Sequence, residues 1–193
     1  SSVAALTRHS LDYMKNLLKG DLGHSYRNNK PVMEIVADAW PATLKLAACS
    51  MLVAVLIGLP LGIFAAVKRG SIGDTIAMIV SIIGVSMPSF WLALLLIMLF
   101  SVKLDWLPFY GITGPESFVL PALTLGSSTA ANIARLTRTS MLEILGQDYI
   151  RTAKGKGVQS SRVIWMHALR NAAVPVVTII GLQFGVMLGG QVV

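Results

Sequence analysis

Three histidines (His9, His24 and His167), one cysteine (Cys49) and nine acidic side chains are the groups in this 193-residue chain that could bind a metal or move a proton. The histidines are scattered without metal-ligand spacing, and no cluster of His, Cys and carboxylate offers a donor set for a naked ion. Cys49 lies in an apolar run with no second cysteine to pair with, which suits packing. The expected catalytic and metal sets are therefore empty. What is dense is positive charge, in "GQDYIRTAKGKGVQSSRVIWMHALRNAAVP", Gly146 to Pro175. This polar stretch lies between two apolar runs and is expected to form two short helices broken at Gly157.

The elements that carry this stretch follow from composition. The chain is 54% hydrophobic and 13% charged, about half the charged share of a soluble domain, with mean hydropathy +0.70. Four segments hold no charged residue: Leu46–Val67, Thr75–Val102, Ser117–Ala134 and Asn171–Val193, of 22, 28, 18 and 23 residues. A helix needs about 20 residues to cross the hydrocarbon core. Alternating strand periodicity is absent, so the expected fold is an all-α, polytopic helical bundle with four transmembrane helices. No ionisable group lies inside the four runs, which argues against an intramembrane enzyme.

Charge orients the bundle. The connection Lys68–Asp74 has two basic residues and Arg135–Arg170 has seven, whereas Lys103–Glu116 has one basic and two acidic residues. The positive-inside bias puts the first and third connections in the cytoplasm, so the net charge of +7 marks topology rather than nucleic-acid binding. Residues 1–45 are then an extracytoplasmic amphipathic segment and 46–193 the membrane core. Within 1–45 the expectation is a helix near 7–19, a turn at "GDLGHS" and a short helix near 31–40 leading to Pro41. An outside start, and an end within an apolar run, fit a piece of a longer polypeptide.

Inside the spans, Pro88 in "GVSMPSFW" denies the Gly84 carbonyl its partner, and Ser86 and Ser89 stand beside it. The second span should tilt or bend, either as a packing kink or as part of a translocation path. Gly181, Gly185 and Gly189 recur at intervals of four and predict a close helix contact, a pattern that Gly58 and Gly62 repeat once. Asn132 and Arg135 near the end of the third span are gate candidates. Arg135 and Arg138 could equally snorkel to membrane lipid as anchors.

The basic connection should be a folded projection. Its first helix would expose Tyr149, Ile150 and Ala153 on one side and Arg151 and Lys154 on another. Gly157 suits the left-handed position that stops a helix, and Ser160 or Ser161 can cap the next. Topology alone, anionic lipid and a cytoplasmic partner all account for basic charge. Ordered helices, small Ala153 and the glycine break favour the partner.

The stretch "YIRTAKGKGVQSSRVIWMHALRNAAVPVVT" resembles the signature loop of permease subunits of bacterial ABC importers, closest to the dipeptide/oligopeptide/nickel branch. The general motif there is Glu-Ala-Ala, three residues, Gly, and later Ile-x-Leu-Pro. Arg151, Thr152 and Ala153 take the first three places and Gly157 the glycine, while Leu169 keeps the leucine. His167 and Arg170 depart from the general pattern in the branch's own manner. "GDLGHSYRNNKPV", "PATLKLA", "GLPLGIFAAVKRGS", "WLPFYG", "LPALTLG" and "ARLTRTSMLE" continue the likeness in order.

The resemblance implies a six-span fold, of which this chain would hold the second to fifth spans, in the bacterial inner membrane. It implies a coupling loop over 141–172. There Asp148, Tyr149, Arg151, Thr152, Ala153, Lys154 and Gly157 would dock on a cytoplasmic ATP-binding subunit. It further implies a second permease subunit and an extracytoplasmic solute-binding protein. ATP and Mg would be used by the partner subunits, with no cofactor in this chain, whose "GKG" lacks the spacing of a phosphate loop. Peptides are the expected cargo, nickel or a nickel chelate the alternative, and an ATP-independent channel the rival of a different class.

Overall fold

The computed structural model describes residues 22–25, 29–111 and 114–189. Among them, one isolated β-bridge between His24 and Pro31 aside, the regular structure is helical. The chain divides into two compact units, Ser1–Leu44 and Lys45–Val193. In the first, Gly23 at φ +78° and Asn29 at φ +52° shape a turn. Its backbone bonds run from Ser25 N–H to the Lys30 carbonyl and from Val32 N–H to that of Gly23, both 2.9 Å. The helix expected near 7–19 lies outside the described residues.

Helix α1 is Val32–Val67, and α2 is Ile72–Ser86. Helix α3, Ser89–Lys103, ends in the π-helical turns Ile97–Lys103. A 3₁₀ turn, Pro115–Phe118, leads into α4, Val119–Leu145. Helix α5 is Asp148–Gly155, and α6 is Ser160–Leu188 with π-helical turns at Val163–Leu169. The four charge-free runs fall on α1, on α2 with α3, on α4 and on α6.

One sequence expectation needs correction, and another is exceeded. The short helix near 31–40 does not stop at Pro41 but is the start of α1, 36 residues long. Proline removes one helical hydrogen bond, and Ala37, whose carbonyl loses that partner, is an exposed residue. The bend expected at Pro88 is a full break: α2 and α3 meet at 103°. Met87 closes α2 with extended backbone (ψ 124°), its N–H bonding the Ile83 carbonyl at 3.0 Å. Pro88 then starts α3, accepting from Trp91 and Leu92, so it lies between two helices and not within one.

By length and composition α1 and α6 suffice to cross a membrane, and the α2–α3 pair adds a third if it is one broken span. Helix α4 is more polar because it is the centre of the bundle. It packs on α2, α3 and α6, and its buried positions include Ala122, Thr124, Gly126, Ala130, Ala134 and Thr137. The contact with α1 is made of small residues. A Cβ on Gly58 would fall on the Ala130 carbonyl oxygen, one on Gly62 would lie 2.5 Å from that of Ala134, and one on Gly126 2.7 Å from that of Ser50. Only glycine lets these backbones approach so closely.

Outward positions are the reverse: Leu56, Val174 and Leu182 are 63%, 73% and 63% exposed, among many Ile, Val and Phe. Large aliphatics outside and Ala, Ser, Thr and Gly inside is an arrangement for lipid, not water. Gly62→Val should therefore lower the stability of the solubilised protein by about 1–3 kcal/mol, the range for overpacking. Gly181→Ala, which meets nothing within 4 Å, should leave it unchanged or slightly raised; thermal unfolding compares the two.

Candidate functional site

The basic connection is a folded projection between α4 and α6. Helix α4 ends where Gly146 N–H reaches the Leu142 and Glu143 carbonyls, and extended Gln147 (ψ 149°) starts α5. Gly157 has φ +79° and ends α5 in a Schellman arrangement. Its N–H bonds the Lys154 carbonyl at 3.0 Å and that of Val158 the Ala153 carbonyl at 3.1 Å. The next helix is capped at Gln159, without a side-chain bond, and not at Ser160 or Ser161. Gln159 already has the extended backbone a cap needs (ψ 137°), so Ser160 is helical from the outset.

Of the face of α5 expected to be exposed, Tyr149 is exposed and the other two residues are turned inward. Ile150 is 0% exposed and Ala153 half-buried, because α5 packs on the π-helical turns of α6. Tyr149, 45% exposed, is tethered at the edge of this contact: Asn171 donates to its hydroxyl at 3.2 Å and to the His167 carbonyl at 2.7 Å. What projects, with Tyr149, is Asp148, Arg151, Thr152, Lys154 and Gly157. The Asp148–Arg151 pair, 3.8 Å apart with both side chains over three-quarters exposed, adds little stability and leaves both charges open to a partner.

A second feature is a cleft of 540 Å³ between α4 and α6, lined by Asn132, Arg135, Leu136, Thr139, Ile179 and Gln183. It brings together Asn132 and Arg135, whose Nη2 donates to the asparagine Oδ1 at 2.8 Å. Ser86, Pro88 and Ser89 do not line it; they sit at the α2–α3 break, Ser86 and Pro88 exposed and Ser89 half-buried. Gly181 and Gly185 meet nothing within 4 Å, and Gly189 meets only carbonyls of its own helix. The close contact expected of these three is therefore not made among the described residues.

One ion pair joins residues far apart in the sequence. Arg138 does not snorkel: its Nε and Nη2 donate to Asp74 Oδ1 and Oδ2 at 2.6 and 2.8 Å. Asp74 is 4% exposed and also accepts from Gly70 N–H at 3.0 Å, while its own N–H bonds Ser71 Oγ at 3.2 Å. The Ser71-x-x-Asp74 spacing is a capping signature and could have flagged Asp74. The partner 64 residues away could not be read. Bidentate geometry ties the turn before α2 to α4.

An all-α bundle with an aliphatic exterior, a polar cleft and a basic two-helix projection is a membrane protein of the transport class. The family described as "Binding-protein-dependent transport system inner membrane component" matches residues 58–193. Over 181 residues, 94% of this chain, it is 46% identical to the "Glutathione transport system permease protein GsiC" of Escherichia coli O6:H1 and to that of Pectobacterium atrosepticum. It is 45% identical to that of Salmonella choleraesuis. The chain spans 59% of the length of these relatives. It belongs to this family of inner-membrane permeases of ABC importers, in the dipeptide/oligopeptide branch.

Asp74→Asn should lower the melting temperature of the detergent-solubilised protein by several degrees, because Arg138 then loses its counter-charge. Arg138→Lys, which keeps the charge but loses the fork, should fall between wild type and Asp74→Asn.

Proposed function

We propose that the chain is the permease subunit of an ATP-driven importer that carries short peptides inward. In this reading α5 is the coupling helix: ATP-driven closure of two cytoplasmic ATPase subunits pushes its charged face, and hydrolysis, with Mg, is theirs. The observation that carries it is the projection itself. Helix α5 is anchored by buried Ile150 and stopped by Gly157, with Asp148, Arg151, Thr152 and Lys154 outward. ATP must favour one access state by several kcal/mol to shift the population nearly completely.

Residues 1–45 and the Lys103–Glu116 connection then face outside, where a solute-binding protein delivers cargo. A second permease completes the path, and Gly181, Gly185 and Gly189 give it a side-chain-free face on which to pack. The cleft of Asn132 and Arg135, and the break at Ser86, Pro88 and Ser89, line or gate that path. Relatives named as glutathione permeases favour a peptide over nickel or a nickel chelate.

Gly157→Val places a β-branched residue at φ +79°, a strained conformation. In the assembled importer it should uncouple ATP hydrolysis from uptake or weaken co-purification of the ATPase; unchanged coupled transport would contradict the assignment. Cysteines at Ser86 and Ser89 should react with a soluble thiol reagent at different rates with and without ATP. An ATP-independent channel would show the same rates in both.

A further inference from the structure

Two arginines three residues apart on α4 are treated differently. Arg138 is matched in full by the buried Asp74 carboxylate. Arg135 has no carboxylate partner among the described residues; its guanidinium donates to the neutral Asn132 amide. A guanidinium has five N–H donors in a rigid fork, so most of its bonding capacity is unused. It lies ten residues before the end of α4, roughly 15 Å of helix. It directly follows the charge-free run that ends at Ala134, so it stands exposed at the mouth of that span with its charge open to an anion.

The surroundings suit an anionic organic group. The cleft is a shallow, open groove of 540 Å³. Thr139 and Gln183 bring further polar groups, and Leu136 and Ile179 supply apolar wall. No acidic side chain lines it. A metal cation would meet a fixed positive charge, whereas a carboxylate would meet a fork that binds it bidentately.

We propose that Arg135, steered by Asn132, is the station in the path that engages the carboxylate of the solute, so that the permease itself selects peptides with a free carboxylate. This rests on the importer reading above and assigns the substrate group that the cleft recognises. Membrane phosphates share the anionic chemistry, and the experiment separates the two.

The test uses the complete importer with its binding protein in vesicles, and as probes a tripeptide and its C-terminal amide. Both permeases receive solute from the same binding protein, so a change in the acid-to-amide uptake ratio between wild type and Arg135→Gln belongs to the permease. The ratio should fall about tenfold in Arg135→Gln, the scale of a charged hydrogen bond, with ATPase assembly intact. Arg135→Lys should give an intermediate ratio. An unchanged ratio in Arg135→Gln, with wild-type uptake intact, overturns the assignment and leaves the importer reading standing. So does a loss of uptake confined to vesicles containing phosphatidylglycerol, which would give the guanidinium to lipid phosphate. Absence of ATP-dependent uptake by the wild type would overturn both.

Discussion

The structure depends on how closely α1 can approach α4. Gly58, Gly62 and Gly126 remove the three side chains that would otherwise strike the facing carbonyls of Ala130, Ala134 and Ser50. In lipid there is no hydrophobic drive between helices, so association relies on such close packing. With α1 on one side and α2, α3 and α6 on others, much of α4 is buried against protein. It can then carry Thr124, Thr129, Thr137 and Ser140 in its buried face and Asn132 and Arg135 in a cleft. Thr124 returns its hydroxyl to the Leu120 carbonyl, the usual way a hydroxyl is satisfied inside such a bundle.

The same helix leads into the projection. Only Gly146 and Gln147 separate α4 from α5, and α5 is clamped to α6 through Ile150 and the Tyr149–Asn171 bond. Helix α4 is in turn tied by Arg138 to Asp74, at the start of α2. A push on α5 therefore has short connections to α6 and, through one ion pair, to the helix that ends at the Pro88 break. The proposed lever and the proposed path share α4.

Much of this was legible from residue order. The charge-free runs located the long helices, and Gly157 announced its left-handed turn because other residues resist it. Other features needed three dimensions. Pro41 did not end α1, since a single lost hydrogen bond is a small cost in a 36-residue helix. The 103° turn at Met87–Pro88 depends on backbone angles that proline allows but does not dictate. Ile150 was expected outside because an eight-residue helix has an apolar face of unknown direction; its own α6 covers it. Arg138 was read as an anchor because Asp74 is remote in sequence.

The central claim is that the charged face of α5 projects into the cytoplasm and meets the ATPase. A single cysteine in place of Lys154, with Cys49 replaced, measures it directly in intact cells and in the assembled importer. The account predicts no reaction with an impermeant thiol reagent applied outside, and a cross-link to the ATPase subunit within. Reaction from outside, or no cross-link from Lys154 or Arg151 in an assembled complex, would contradict it.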